Sequence, residues 1–509
     1  MTGSIVDLSR ELVPESLSVD VCVIGSGPAG ATAAWELALA GREVLVLEEG
    51  ADYPGARMTQ RDAGMYDQLY MDRGGRSTAD LAISVLQGRV LGGGSVVNAC
   101  DVVPMADAVA RHWQTRHGLS GFSPEALAPF RDAALADLSA SRPPEADLNA
   151  NNRLLRDGAR ALGFATEVML HNRVGCAGAG TCLIGCPIDA KRNARTVALP
   201  AAIAAGARVL TRARAVRIDD AGAEIKRVRV RALDAKGYHE ARDLLVRARV
   251  VLLAANAVGS AALLLRSGLG NEHVGRHLML QPQLPVTALF PQPVRFFRGI
   301  PQAVAVTEFE EIDEERGLWG ARIEPIGGTP GIVATMLPTL GLPGKALMSR
   351  FDHLAAALVL VPDAPNGAVR VDAGGRIRVD YAMPEEQKQR YRMAARAAAR
   401  AYLAAGATSV QIPVARPVVV RAEADLAALD ALAFEPATTP FISAHQQGTV
   451  RFAASPRDGG ADPEGRVYGT RDVLVVDSSG FPSSASSHTM APGIAVARML
   501  ARRLLARPG

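Results

Sequence analysis

The sequence has no apolar run near the roughly 20 residues that a bilayer-spanning helix needs, which argues against an integral helical membrane protein. It has no stretch of basic residues interleaved with aromatics. A net charge of +4 dispersed over 509 residues gives neither nucleic acid nor an anionic membrane a surface to hold. Cysteine is scarce. Five residues, an odd number in a long chain, do not make a disulfide scaffold and agree with a reducing compartment. Internal repeats and low-complexity tracts are missing. The opening segment, MTGSIVDLSRELVPESLSVD, has acidic residues where a secretory signal has basic ones, and no apolar h-region follows it. These absences point to a soluble, cytoplasmic protein. Apolar residues are plentiful: at 48% they exclude a disordered chain, and 509 residues exceed what one core supports, so two joined domains are expected.

The most informative stretch runs from Asp20 to Gly50, DVCVIGSGPAGATAAWELALAGREVLVLEEG. The β-branched run Val21–Ile24 reads as a strand buried on both faces, and it stops at Gly25-Ser26-Gly27-Pro28-Ala29-Gly30. In a G-x-G-x-x-G of this kind the first glycine permits a tight turn, the second lets a pyrophosphate approach bare backbone, and the third lets the helix pack on the strand. The anion sits at the helix N-terminus, where free N–H groups and the dipole favour it. A second strand, Val44–Leu47, runs into Glu48, about where an acidic residue bonds a ribose hydroxyl; Glu49 is the alternative. The unit therefore predicts a dinucleotide site, with NAD and FAD both open.

Further on, Gln87 to Asn98 reads QGRVLGGGSVVN, and three successive glycines between apolar residues require backbone to pass close to another segment or a ligand. This run is similar to the glycine-rich signature of the glucose-methanol-choline (GMC) flavoprotein oxidoreductases, and the opening unit resembles that family's N-terminal FAD unit. Val250–Gly270, VVLLAANAVGSAALLLRSGLG, resembles the second signature, with Asn256 and Ala261 where glycine and proline are common. HQQGTVR at His445–Arg451 and the closing block RVYGTRDVLVVDSSGFPSSASSHTMAPGIAVARMLARRLL resemble the C-terminal part. There Asp477 and Ser479 match D-x-S, Pro482 matches the family's proline, and His488 falls on the catalytic histidine of the glucose oxidase branch.

The resemblance implies an α/β fold, with a Rossmann-type FAD-binding domain and a discontinuous substrate-binding domain built on a mainly antiparallel β-sheet. Residues 17–107, 190–285 and 441–509 are expected in the first domain, and 108–189 and 286–440 in the second. It implies cofactor contacts from Gly25, Gly27, Gly30, Glu48, Gly92, Gly93, Ser95, Asn98, Asp477, Thr489 and Met490. The FAD is expected to be non-covalent, because covalent flavin in some relatives uses a histidine near the glycine-rich signature and none occurs between Gly88 and Met105.

An imidazole titrates near neutrality, so it can take a proton from an alcohol and start the cycle again; loss of that proton lets the carbinol carbon release hydride. The resemblance assigns His488 as base and His445 as the partner that bonds the substrate oxygen. His273 and His277 have i,i+4 spacing, but Gly275 between them argues against a helix, and they are expected to be structural. Cys176, Cys182 and Cys186 form C-x5-C-x3-C in a glycine-rich loop. Three cysteines at this spacing hold an iron–sulfur cluster in the similar large subunits of some membrane-linked dehydrogenases, so an iron–sulfur cluster, zinc or a purely structural loop are the three readings.

The expected reaction is FAD-dependent oxidation of an alcohol to a carbonyl, with a non-redox lyase of the same family, or a dehydrogenase using a separate acceptor, as alternatives. Apolar β-like runs between 286 and 440 with few clustered carboxylates favour a bulky or hydrophobic neutral alcohol. No haem or carrier segment accompanies the motifs, which favours oxygen as acceptor. Between the motifs, helical spacing predicts helices at 125–139, 154–162 and 385–403, and a buried strand at 247–254.

Overall fold

A computed structural model describes residues 3–337 and 341–507; residues 338–340 and 508–509, inside two of the expected domain ranges, lie outside them. The strand before the first glycines covers Ser16–Ile24 and is buried from Val21 to Ile24. It lies in an eight-stranded sheet ordered Ser4–Asp7, Arg208–Thr211, Val44–Leu47, Ser16–Ile24, Glu240–Leu253, Lys226–Leu233, Ala213–Asp219, with Val473–Val475 joining Glu240–Leu253. Parallel pairing runs from Ser4–Asp7 through to Val473–Val475, and the last two strands of the path add an antiparallel meander.

Register puts the functional edge in one place. Ile24 pairs with Leu47 on one side and Leu253 on the other, and Leu253 pairs with Val475. The segments that follow, at Gly25, Glu48, Ala254 and Asp477, thus leave the sheet together at its carboxyl edge, where open parallel sheets bind ligands. Helix Pro28–Leu39 starts there, with Pro28 pre-set for the first turn and a run of alanines that lets it pack closely against helices Ala198–Ala204 and Met490–Leu505.

A nine-stranded sheet, antiparallel but for one pair, runs Val418–Val420, Ser409–Ile412, Gln283–Leu289, Leu354–Leu360, Arg322–Pro325, Val304–Val306, Thr166–Val168, with Phe441–Ser443 and Ile83–Val85 attached beside Gln283–Leu289. Its strands alternate faces. Gln283, Pro285 and Thr287 border a large cavity, while helix Glu385–Ala404 packs on the sheet and buries Tyr391, Ala394, Ala398 and Tyr402. The two sheets therefore enclose the cavity between the carboxyl edge of one and a face of the other.

The expected helices at 125–139 and 154–162 occupy Pro124–Asp137 and Ala150–Ala161. Both begin earlier because a side chain caps them: Ser123 Oγ accepts from the Ala126 N–H at 3.3 Å and Asn149 Oδ1 from the Asn152 N–H at 3.0 Å. The strand expected at 247–254 extends back to Glu240, because its first half pairs with the exposed meander, where burial alternates. At HVGRH, Gly275 takes φ +84° and the chain turns; His273 Nδ1 lies 2.9 Å from His277 Nε2, and the other His273 nitrogen meets the Arg457 carbonyl at 2.8 Å.

Candidate active site

The three glycines of the first turn are required for three different reasons. A Cβ on Gly25, at φ +104°, would stand 2.3 Å from the Ala254 carbonyl oxygen, and one on Gly30 would stand 2.1 Å from the Gly25 carbonyl oxygen. A Cβ on Gly27 meets nothing within 4 Å among the described residues; it would project into the cavity. The helix behind it has no acidic residue in its first turn and no side-chain cap, which leaves its N–H groups and positive dipole end to an anion. The second glycine-rich run presses on this turn. The Gly92 N–H donates to Ser26 Oγ at 3.0 Å, and a Cβ on Gly93 would lie 2.8 Å from Gly27 Cα.

Glu48 closes the same corner. Its carboxylate accepts from the Ser26 N–H at 3.1 Å, the Ser26 hydroxyl at 2.5 Å and the Gly50 N–H at 2.7 Å. Burial raises its pKa, against those bonds. Glu49 instead pairs with Arg214 at 3.0 Å. A cavity of about 1020 Å³ brings together Gly25, Gly27, Glu48, Gly93, Ser95, Asn98, His445, Asp477, His488, Thr489 and Met490. Gly30 and Gly92, also expected at the cofactor, do not border it: Gly30 packs on Gly25, and Gly92 forms a left-handed turn against Val96 and Arg195. Asp477 borders it, with its carboxylate bound by the Ser479 N–H and the Ser260 hydroxyl.

His445 follows strand Phe441–Ser443, and His488 precedes helix Met490–Leu505; their rings stand 4.8 Å apart at 78°. His488 is gripped by two carboxylates that sequence reading missed. Its Nδ1 is 2.6 Å from Asp101 Oδ2 and its Nε2 is 3.0 Å from Glu324 Oε2. Carboxylates only accept, so both ring nitrogens must carry protons and the ring is an imidazolium. Burial disfavours that charge most, but Asp101 and Glu324 outweigh it and raise the His488 pKa to about 10. The reverse holds for the carboxylates: burial opposes their ionisation, yet the His488 charge keeps both below their ordinary values. Glu324 also accepts from Arg322 Nε at 2.6 Å and Gln302 Nε2 at 2.5 Å, so its oxygens are fully used.

His445 is the opposite case. It is buried with no carboxylate against it; burial first, then the neighbouring His488 charge, push its pKa down to about 3. The side-chain Nε2 of Gln283 lies 3.3 Å from its Nδ1 and, as placed, donates to it. Turning that amide so that its oxygen accepts from an Nδ1–H leaves the His445 Nε2 as a free acceptor. The site thus pairs a neutral imidazole with a fixed cation.

An arginine reaches into the cysteine loop. Arg173 Nη1 lies 3.6 Å from Cys176 Sγ and 3.5 Å from Cys182 Sγ, so a guanidinium occupies the place that a metal cation would need. Among the described residues no group of three or more His, Cys, Asp or Glu side chains could hold a metal ion, so the expected iron–sulfur set of Cys176, Cys182 and Cys186 is not supported. The loop is tied instead to the cavity wall. Lys191 Nζ donates to the Cys182, Val96 and Asn98 carbonyls, and the Tyr70 hydroxyl to the Leu183 carbonyl.

Comparison with known proteins agrees with this architecture. Residues 66–283 and 364–497 match the models of the N- and C-terminal parts of GMC oxidoreductases. An uncharacterised GMC-type oxidoreductase of Mycobacterium tuberculosis is 32% identical over 503 residues, spanning 97% of this chain and 77% of that protein. The chain belongs to the GMC oxidoreductase family. Residues 23–85 also match a Rossmann-like NAD(P)-binding model. A long-chain-alcohol oxidase of Arabidopsis thaliana is 26% identical to this GMC oxidoreductase, over 96% of the chain and 68% of the plant protein. In fold it is similar to pyridoxine 4-oxidase from Mesorbium loti, with a TM-score of 0.72 at 18% identity over 96% of this chain and 100% of that one.

Proposed function

We propose that this GMC oxidoreductase binds FAD non-covalently and oxidises a neutral, largely apolar alcohol to its carbonyl, with His445 as the proton acceptor and His488 as a fixed positive charge. One observation carries the reading: a single cavity joins a phosphate cradle at the carboxyl edge of the parallel sheet to a neutral and a cationic imidazole 4.8 Å apart. The residues fit the cofactor. Gly27 leaves open space at a helix N-terminus, where a pyrophosphate would sit, and Glu48 stands at the end of the next strand, where a ribose would be. When bound, FAD supplies the electrophilic ring that accepts hydride.

The protein's own part is to remove a proton and hold charge. The two histidine roles expected from sequence are exchanged here, because a ring that donates both protons to Asp101 and Glu324 has no lone pair to offer. His445, neutral across the physiological range, can take the hydroxyl proton. The imidazolium beside it stabilises the alkoxide as charge develops, with no reorganisation at the moment of reaction. The same fixed cation favours reduction of oxygen, which supports an oxidase over a dehydrogenase.

Beyond the histidines the chamber is walled by Phe296, Ile326, Val333, Met336 and Leu358. Gln283, Thr287 and Gln302 are polar residues of the same cavity lining. A bulky or long-chain alcohol suits it better than a cation, and the plant relative's name points the same way. We also propose that residues 17–107, 190–285 and 441–509 form the cofactor domain and 108–189 and 286–440 the substrate domain. No helix of the described residues is long and apolar enough to cross a membrane; the cytoplasm is our proposed location. The test is to purify the protein and mix it under argon with primary alcohols of increasing length and with choline. Bleaching of a bound flavin that strengthens with chain length supports the reading. A folded protein that stays colourless with added FAD, or one bleached best by choline, overturns it.

A further inference from the structure

A groove leads outward from the Glu48 corner of the cavity. Strand Ala213–Asp219 starts there, with the Ala213 N–H donating to the Glu48 carbonyl at 2.8 Å. Helix Asn256–Ser267 starts beside the first glycine turn, where a Cβ on Gly25 would stand against the Ala254 carbonyl. Strand and helix pack together and meet at their far ends: the Ile218 N–H donates to Ser267 Oγ at 2.9 Å, and Arg217 Nη1 to the Arg266 carbonyl at 3.1 Å. Ala213 and Ala215 border the cavity from the strand, and Ala262, Leu263 and Arg266 from the helix. Small side chains on one wall and a guanidinium on the other make a slot suited to a flat ring.

A hairpin closes the third side. Strands Gly367–Val371 and Ile377–Tyr381 pair antiparallel, and bare backbone at their tip, Gly374 and Gly375, borders the cavity. The tip is a preformed turn. Asp372 Oδ1 accepts from the Gly374 and Arg376 N–H groups at 2.9 Å each, and Gly375 takes φ +77°, where a Cβ would meet nothing within 4 Å among the described residues. Arg266 reaches across to this turn, with Nε and Nη2 both donating to the Gly375 carbonyl, at 3.0 and 2.6 Å. Arg76, Arg214 and Arg376 also border the cavity, and each is paired with a carboxylate, on Asp72, Glu49 and Asp372 respectively. Arg266 pairs with none among the described residues, which leaves its face to a ligand.

We propose that this slot holds the adenine ring of the cofactor against the Arg266 guanidinium, and that the Arg266–Gly375 clasp, which ties the proposed cofactor domain to the proposed substrate domain, keeps the dinucleotide from leaving. The inference rests on the FAD reading above. With the ribose at Glu48 the base lies beyond it, and the groove begins at the Glu48 carbonyl. A guanidinium held by two bonds to one carbonyl is fixed in place, so it offers the ring a ready surface. Without it the hairpin tip loses its tie to the helix, and the slot opens on one side.

The test dilutes the purified, flavin-loaded protein and reads released flavin by fluorescence; calorimetry then measures binding of FAD, ADP and FMN to the flavin-stripped full chain. Arg266→Met should release FAD about tenfold faster and bind both FAD and ADP about tenfold more weakly, the scale of one lost cation–aromatic contact. FMN lacks the adenosine half, so its binding should be the same in wild type and variant, which a general loss of structure would not allow. Arg266→Lys should resemble Arg266→Met, because a compact ammonium neither stacks flat nor forks. Arg370→Met removes an arginine paired with Asp380 on the same hairpin and should release FAD at the wild-type rate. A wild type that binds no FAD would refute the proposed function itself. A wild type that holds FAD, beside an Arg266→Met protein that holds FAD and ADP equally well, would overturn this inference alone. A matching fall in FMN binding, or full retention of FAD in Arg266→Lys, would overturn it too.

Discussion

Replacing His488 by alanine should remove the cation between two buried carboxylates, and the cost should depend on pH in a way that no simple packing defect would. In the folded protein the ring titrates near 10 instead of its ordinary 6.5. A tenfold change in proton affinity is worth about 1.4 kcal/mol, so the ion cluster contributes roughly 3–5 kcal/mol, in line with the usual cost of breaking a buried pair. A raised histidine pKa contributes fully below 6.5 and loses its contribution as pH climbs towards 10. Asp101 and Glu324 are shifted down, so their share is present above the ordinary carboxylate range and fades in acid. Urea unfolding of wild type and His488→Ala should therefore differ most in mildly acidic buffer, and the gap should shrink steadily up to about pH 10. A gap of the same size in mildly acidic and strongly alkaline buffer, or no gap in mild acid, would refute the charged assignment.

His445→Ala should leave unfolding nearly unchanged and keep flavin, but slow anaerobic flavin reduction by about 10²–10⁴-fold, the range for a lost general base; a loss under tenfold on stopped flow would move the base elsewhere. Gly27→Val should fold, because a Cβ there meets open space, yet purify without absorbance near the flavin band; a yellow Gly27→Val protein would contradict the pyrophosphate cradle. Val333→Phe should raise KM for the longest alcohols and leave the shortest alone, since Val333 lines the apolar chamber; an equal effect on all lengths would place the substrate elsewhere.

The parts of this molecule governed by local pattern were legible in the sequence. A β-branched run ending in glycines, a second strand ending in Glu48 and the amphipathic Glu385–Ala404 helix follow from periodicity and turn chemistry. The helix starts at Pro124 and Ala150 were missed because Ser123 and Asn149, ordinary in sequence, become caps only once the helix exists. Asp101 and Glu324 were missed for a different reason: each is a single carboxylate, and its partner His488 arrives from the far end of the chain. A signal was present in ARIEPI, where Arg322 and Glu324 interrupt an apolar strand and so must be paired if buried. Spacing misled with the cysteines. It grouped Cys176, Cys182 and Cys186, whereas tertiary structure places the Arg173 guanidinium against the first two.

The pH dependence of a single step tests the division of labour between the two imidazoles. Stopped-flow mixing of the oxidised protein with a long primary alcohol under argon, from mildly acidic to strongly alkaline pH, reads the rate of flavin bleaching alone. With His445 as acceptor and His488 as fixed cation, the rate stays level through neutrality and falls as pH passes about 10, where His488 gives up its proton. A rate that instead rises through that range, as a base at His488 would require, contradicts this division.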